Sequence, residues 1–268
     1  MNQMAKFPTA DIPIEVPGWP DRFSDGQNFT FSNPLSLEAA SWWVDRFTIG
    51  GTTFFPEDIA ERLSRGMPGN IQCTFSEVIP EKGRVSIELY GTDDVASHIW
   101  FLGKTLWLDT ENQMFTDLAD IAEESQGQGF GRVMMGNCYD LAQELELDEM
   151  RLRASWIGTY AWLRFGFVPD QADWDNHLKA GITERLYEWR EHIPTAAFLE
   201  VQRMLERGSP RTAWLIADDD TPVETEDGET VTLGQALLAN SGISWDGSLL
   251  LDDAAATARF ELYVGRQP

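Results

Sequence analysis

A glycine-rich turn between an apolar strand-like stretch and a helical segment constrains the fold of this chain most strongly. The turn contains Gly127, Gly129 and Gly131, follows the stretch 114–122 and opens the segment 132–146, where apolar residues recur at helical spacing. The first turn of a helix leaves backbone N–H groups unpaired and carries partial positive charge. Because glycines let a ligand approach the backbone, such a turn can cradle a phosphate or pyrophosphate.

Two common phosphate-binding loops do not fit this turn. A Walker loop ends in Gly-Lys-Ser/Thr, whereas Gly131 is followed by Arg132 and Val133. A dinucleotide fingerprint needs the spacing Gly-x-Gly-x-x-Gly within a βαβ unit, whereas the glycines alternate here. The segments before the turn instead indicate an antiparallel meander, with strand-like alternation at 71–79 and 84–90 and a longer apolar stretch at 98–109 that Gly103 interrupts.

The turn Gln126-Gly127-Gln128-Gly129-Phe130-Gly131 resembles the Gln/Arg-x-x-Gly-x-Gly/Ala acyl-CoA motif of the GNAT superfamily of N-acetyltransferases. The surroundings are similar to that family too. Helices predicted at 36–47 and 56–65 precede the meander, and a strand at 150–154 and a short helix at 159–165 lead to Gly166-Phe167. The resemblance implies an α/β (α+β) fold with a GNAT-like mixed, mainly antiparallel central sheet, flanked by helices, and a C-terminal extension.

We expect three regions along the chain. Residues 1–34 hold five prolines and form an N-terminal arm, residues 35–170 form the GNAT-like acyl-CoA-binding domain, and residues 171–268 form the extension. Within the extension, helices are predicted at 174–192, 195–207 and 233–239, and the acidic run 218–230 as a solvated loop. Alternation at 257–264 predicts the last strand of the sheet, which would make 171–256 an insertion. The extension could equally form a cap packed on the core or a dimerisation element.

The resemblance also implies a site for acetyl-CoA as cosubstrate, with no metal. Backbone N–H groups of the turn would hold the CoA pyrophosphate, and Arg132 could add a positive charge. The residues expected to bind the cofactor are Ile121, Ala122, Gln126, Gly127, Gln128, Gly129, Phe130, Gly131 and Arg132.

In the family, an amine attacks the thioester directly, a backbone N–H of the central strand polarises the carbonyl, and a carboxylate takes the proton of the amine. Asp117 and Asp120 have opposite parity on strand 114–122, so one should face the cleft and the other the opposite side. Asp117 is our first choice for the base, with Asp120 and Glu123 as the alternatives.

The acid that protonates the leaving thiolate is where the sequence departs from the family. Many members carry a Tyr four residues before the Gly of Gly-Phe, and this chain has Trp162, which has no titratable proton. Three readings remain open. Tyr160 substitutes through a shifted helix, water protonates the thiolate, or the domain does not catalyse the reaction.

Composition limits the partners. With 20 Lys+Arg against 44 Asp+Glu, the net charge is −24, which disfavours nucleic acids and anionic membranes and favours a cationic acceptor. The cysteines, Cys73 and Cys138, lie 65 positions apart and fit reduced, buried thiols. No signal peptide or membrane span is recognised, so a cytoplasmic location is expected. His98, His177 and His192 show no metal-ligand spacing.

The sequence therefore predicts an enzyme that moves an acetyl group from acetyl-CoA to a primary amine, on a small molecule or a basic side chain. The alternative is a catalytically impaired GNAT-like module that binds CoA or a protein partner. A third possibility is a structural α/β protein whose turn binds nothing. If the strands predicted at 114–122 and 150–154 did not separate, that third reading would be favoured.

Overall fold

The computed structural model describes residues 21–26, 28–225 and 228–266. Most of the predicted N-terminal arm, residues 1–20 and Gln27, lies outside the described residues. The rest of the arm contains a short 3-10 helix, Asp21–Phe23, and the first strand of the sheet.

The elements predicted between residues 36 and 167 form in the predicted order, whereas several of the elements after residue 170 differ from the prediction. The strands are β1 Phe29–Phe31, β2 Thr48–Ile49, β3 Thr52–Thr53, β4 Asn70–Ile79, β5 Arg84–Thr92, β6 His98–Trp107, β7 Gln113–Ile121, β8 Glu149–Ala154, β9 Val168–Pro169, β10 Pro222–Glu224, β11 Thr230–Thr232 and β12 Trp245–Leu250. The helices are α1 Leu37–Arg46, α2 Pro56–Ser64, α3 Phe130–Glu144, α4 Gly158–Arg164, α5 Gln171–Asp173, α6 Lys179–Glu188, α7 Thr195–Arg207, α8 Thr212–Ala217, α9 Leu233–Leu238 and α10 Ala254–Val264.

One eight-stranded sheet organises the molecule, in the order β1-β4-β5-β6-β7-β8-β12-β9. Strands β4 to β7 form an antiparallel meander, whereas β7 and β8 run parallel and are joined through α3. Strand β12 returns antiparallel between β8 and β9. The predicted fold class, a mixed and mainly antiparallel sheet flanked by helices, is confirmed.

The two faces of the sheet differ in character. Helix α1, capped by the Ser36 hydroxyl, places Trp43 against Phe75 of β4 with the ring centroids 5.4 Å apart. Helix α3 buries Met134 and Cys138 on the same side, which we call the helix face. The opposite side of β4 to β7, the open face, is polar and partly exposed, as expected for an antiparallel sheet covered on one side.

The strand predicted at 257–264 is wrong, because this segment lies within helix α10. Asp253 caps the helix by accepting hydrogen bonds from the amides of Ala255 and Ala256. Ala256 and Phe260, one turn apart, are buried, whereas Leu262 is 72% exposed. The burial therefore follows the helical period rather than the apparent alternation, and the alanine-rich start favours a helix.

The last strand of the sheet is β12, which the sequence did not reveal. Its centre, Asp246-Gly247-Ser248, consists of residue types that are poor strand formers. Trp245 and Leu249 face the core on either side of that centre. Residues 170–244 therefore leave the sheet after β9 and return to it only at β12.

The segment that leaves the sheet carries helices α5 to α9 and a β10–β11 hairpin. A π-helical turn, Trp174–Leu178, joins α5 to α6, so the predicted helix 174–192 instead runs from Gln171 to Glu188. The acidic run predicted as a loop forms the hairpin, with Val223 buried beneath it, although Glu226 and Asp227 lie outside the described residues. Within the described chain, none of the helices is both long and apolar enough to cross a membrane.

We expect both thiols to resist chemical labelling in the folded protein. Burial raises the pKa of Cys73 to about 12 and also raises the pKa of Cys138. Since the thiolate is the reactive form, a neutral thiol reagent at pH 8 should label neither residue in the native state and both in denaturant. Counting modified thiols by mass spectrometry checks this, and rapid native labelling of either cysteine would contradict it.

The substitution Gly166→Ala should destabilise the fold strongly. Gly166 has a φ of +91°, and a Cβ there would lie 2.7 Å from the carbonyl oxygen of Ala256 in α10. Gly265→Ala is the matched control, because its φ is +87° and its Cβ would meet nothing within 4 Å. Chemical denaturation should show a loss of about 1–2 kcal/mol for the control and a larger loss for Gly166→Ala. Equal losses would contradict the predicted clash.

Candidate functional site

The central feature of the site is the point where β7 and β8 separate. The two strands pair over only four positions, from Gln113 opposite Glu149 to Thr116 opposite Leu152. Beyond that rung, β7 continues to Ile121 along β6, whereas β8 continues along β12. The strands thus open a cleft whose apex lies at Thr116.

The C-terminal half of β7, beyond Thr116, directs some of its backbone N–H groups into this cleft. The amide of Ala122 donates to the carbonyl of Ile99 on β6, and alternate residues of an antiparallel strand point the same way. Leu118 and Asp120 therefore bond towards β6, while the amides of Ala119 and Ile121 point towards the cleft, where β8 offers them no partner. The amide of Ala122, which the sequence placed in the site, is used within the sheet.

The glycine-rich turn closes the wide end of the cleft. Gly127 and Gly129 have φ values of +76° and +86°, and a Cβ at either position would meet nothing within 4 Å. Gly131 lies beside β7, since its Cβ would contact Ile121 at 3.5 Å. Within the described structure, the amides from Gly127 to Gly131 donate to no acceptor. Five successive free N–H groups at the start of α3 form an anion-binding nest.

Gln126 and Arg132 flank this nest in different ways. The side-chain amide of Gln126 donates to the carbonyl of Ile121 at 3.0 Å, and the backbone N–H of Gln126 donates to the carbonyl of Glu123. Gln126 therefore anchors the turn to the strand. The Arg132 guanidinium lies 4.9 Å from the ring centroid of Tyr263 and forms no ion pair with any described carboxylate. Arg132 is therefore free to contact an anion bound by the turn.

A β-bulge overturns the parity argument for the two aspartates. Opposite β6, Gly103 pairs with Leu118 and Lys104 pairs with Thr116, which leaves Asp117 as an extra residue. The extra residue resets the alternation, so Asp117 and Asp120 both lie on the open face. The expectation that they lie on opposite sides of the strand is wrong.

Each of the two aspartates is held through one of its own carboxylate oxygens. Asp117 accepts a hydrogen bond of 2.9 Å from the Thr105 hydroxyl, and Asp120 lies 2.9 Å from Nε2 of His98. Asp117 follows the apex residue Thr116 directly, whereas Asp120 lies three positions further along β7. Asp117 also lines a groove of about 520 Å³ on the open face. The other residues that line this groove are Ser76, Glu77, Arg84, Ser86, Ile87, Glu88, Phe101, Gly103, Lys104 and Thr105.

The aromatic residues considered for the acid lie on α4. The Tyr160 hydroxyl accepts a hydrogen bond from Arg164 at 2.8 Å, and the Arg164 guanidinium also lies over the ring of Tyr263. Trp162 instead packs against Phe165 and Phe167. The third carboxylate considered as a base, Glu123, lies on the 3-10 turn that follows β7.

The sequence reading missed a buried lysine at the apex. Lys104 is 1% exposed and donates a hydrogen bond of 2.6 Å to the Thr116 hydroxyl on the helix face. The available signal was a single lysine among the apolar residues of β6, flanked by Leu102 and Leu106. Elsewhere in the described residues, no group of three or more His, Cys, Asp or Glu could hold a metal ion.

These features define a mixed α/β architecture with a cleft between two parallel strands and a turn of five free amides at its mouth. A scan of protein-family models finds no match to the chain, and a comparison with curated proteins finds none either.

Comparison with solved structures returns acetyltransferases of low similarity. Nourseothricin acetyltransferase is 22% identical, with 37% of this chain and 61% of that chain covered and a TM-score of 0.28. Spermidine N-acetyltransferase from Vibrio cholerae, in complex with CoA and spermine, is 19% identical, with 34% and 54% covered and a TM-score of 0.27. A GNAT-family acetyltransferase from Staphylococcus aureus Mu50 is 13% identical, with 34% and 56% covered and a TM-score of 0.26. The chain spans less than two thirds of the length of each of these structures.

Gly129→Glu should abolish binding of CoA while leaving the fold intact. The new carboxylate would enter the nest, where it would compete for the free amides and repel the pyrophosphate. Gly51→Glu is a matched control, because Gly51 has a φ of +84° and equally open space around its Cβ. Calorimetric titration with CoA should show binding for the control and none for Gly129→Glu. Equal affinities in two folded variants would contradict the site.

Proposed function

We propose that this protein is an N-acyltransferase that moves an acetyl group from acetyl-CoA to the primary amine of a small cationic acceptor. The observation that carries the proposal is the alignment of the anion nest with the cleft. Five free amides lie at the wide end of the cleft, where they could bind a pyrophosphate, and the cleft leads from there to the apex at Thr116.

The dimensions of the cleft suit the pantetheine arm of CoA. Because Asp117 is the extra residue of the bulge, Ile121 and Thr116 lie opposite Trp100 and Lys104, which are four positions apart on β6; at about 3.3 Å each this gives about 13 Å. The arm contains about 13 bonds from the second phosphorus to the sulfur, and an extended chain of that length spans about 14–16 Å, by comparison with three bonds per backbone residue. With the pyrophosphate on the nest, the thioester would therefore lie close to the apex.

The backbone of β7 can bind the arm and activate the thioester. The free amides of Ala119 and Ile121 can hydrogen-bond the pantetheine or polarise the acyl carbonyl, replacing the partner strand that β8 does not supply. Direct attack by the amine then needs no covalent intermediate on the protein. The electron pair of the new C–N bond comes from the amine, and the broken C–S bond leaves its pair on sulfur.

Asp117 is our candidate for the base that takes the proton of the amine. Its carboxylate lies next to the apex on the open face, and the Thr105 hydroxyl fixes one oxygen while no described donor engages the other. The groove in which it lies also contains Glu77 and Glu88, with Arg84 paired to Glu77. A cationic acceptor would meet net negative charge there, which agrees with the acidic composition of the chain.

Asp117→Asn should lower kcat for acetyl transfer by about 10²–10⁴-fold, the usual contribution of a general base, with little change in acetyl-CoA affinity. Asp120→Asn is the matched control, because it removes the same charge from the same face three positions away, and its effect should be small. Steady-state kinetics across a panel of primary amines checks this. A larger loss for Asp120→Asn would transfer the role to that residue.

One observation favours the alternative, a CoA-binding module without turnover. Trp162 occupies the position where the family often has its acidic Tyr, and its ring packs against Phe165 at 5.5 Å instead of offering a proton. Saturable binding of acetyl-CoA with no transfer to any amine of the panel would support this alternative. The free, buried cysteines fit either function in a reducing compartment such as the cytoplasm.

A further inference from the structure

Lys104 is a buried cation to which the mechanism above gives no role. Its side chain projects from β6 to the helix face, on the same side of the sheet as Ile87 of β5, its register partner. Its ammonium donates to the Thr116 hydroxyl on β7, and it lies close enough to the Cys138 thiol of α3 to interact with it by charge and hydrogen bonding. No described carboxylate lies within ion-pair distance of the ammonium.

An unpaired buried ammonium is costly to a fold. Removing such a charge from water costs several kcal/mol, and neutral hydrogen-bond partners return only part of it. Hydrophobic residues surround this position, so a Met would fill similar volume without that cost. Lys104 therefore lowers the stability of the folded protein, at a place where a positive charge is useful to the proposed reaction.

That use follows from the location of Lys104. Its partner Thr116 forms the last rung between β7 and β8, so the ammonium lies beside the apex of the cleft. The thioester reaches the same apex if CoA binds as proposed, and the C–S bond that breaks leaves negative charge on sulfur. Asp117 lies on the open face, so base and cation approach the reacting atoms from opposite sides of the sheet.

The neighbouring Cys138 illustrates how this cation affects a nearby sulfur. Burial raises the pKa of the Cys138 thiol, and the charge and hydrogen bond of Lys104 oppose that rise. The ammonium thus favours the thiolate form of a sulfur that lies beside it. A CoA sulfur at the apex would experience the same attraction.

We propose that Lys104, together with Thr116, stabilises the CoA thiolate as it leaves, and so supplies what the missing Tyr at position 162 does not. The electron pair of the C–S bond passes to sulfur, and the ammonium holds the resulting thiolate by charge and hydrogen bonding without transferring a proton. This inference rests on the proposed function, because it requires the CoA sulfur to reach the apex. An opposite charge within about 4–6 Å shifts a pKa by about one unit or more, which alters the thiolate equilibrium by about tenfold or more.

Titration of the bound CoA thiol tests the proposal without knowledge of the acceptor. The full-length protein is saturated with CoA, and thiolate formation is followed by ultraviolet absorbance as the pH rises, with desulfo-CoA as the blank. Bound thiol should ionise at lower pH in the wild type than in Lys104→Met or Lys104→Gln, so that the thiolate fraction at a given pH falls at least about tenfold in both variants. Lys82→Met, which removes an exposed lysine in the β4–β5 turn, should behave like the wild type.

The outcomes separate this inference from the proposed function. If the wild type does not bind CoA, the proposed function fails. If CoA binds equally well to all forms and the thiol ionises at the same pH in the wild type and both Lys104 variants, the role of Lys104 is overturned. The Gln variant keeps a donor for Thr116, so it remains informative if Met unfolds the protein. Unfolding of both variants would show that Lys104 supports the fold and would also overturn the proposal.

Discussion

The separation of β7 from β8 after four paired positions is the constraint on which the rest of the site depends. A strand that loses its neighbour must satisfy its backbone groups elsewhere, because unpaired buried N–H and C=O groups are costly. Here β12 pairs with the other edge of β8 and leaves the cleft edge open, and on β7 the Ile121 carbonyl accepts a hydrogen bond from the Gln126 side chain. The amides of Ala119 and Ile121 keep no such substitute, so the same geometry that opens the cleft prepares it for an extended ligand.

Two local features of the backbone, a β-bulge and a glycine-rich turn, equip the open cleft for the proposed chemistry. The bulge at Asp117 turns a carboxylate towards the open face next to the apex, and the turn with the positive-φ glycines supplies five free amides at the wide end of the cleft. Lys104 and Asp117, near each other along the fold but on opposite faces, place opposite charges on the two sides of one short stretch of sheet. In an acidic chain, this local arrangement matters more for chemistry than the total charge does.

Much of this could be predicted from the sequence, because local chemistry dictates it. Ser36 and Pro56 mark helix starts, and the glycines at 127, 129 and 131 mark the loop. The bulge could not be predicted, since one extra residue at Asp117 alters which face a side chain occupies without altering the local pattern. For a related reason, strand β12 was not predicted and the segment of helix α10 was predicted as a strand. Pairing with β8 holds the weak strand former Gly247 in a strand, whereas packing on α3 selects a helix for a segment that also alternates.

The place of β12 has a consequence for how the chain must assemble. Strand β9 has two residues and its ladder partner is β12, which the chain reaches only after the 75 intervening residues 170–244. Closing so long a loop costs conformational entropy before any pairing repays it, and it ranks among the late steps of folding. The edge of the sheet beside β8 would thus stay open during synthesis until nearly the whole chain has emerged. The C-terminal region is accordingly not a separable appendage, and a protein cut at residue 170 would expose the edge of β8 as an unpaired template for aggregation.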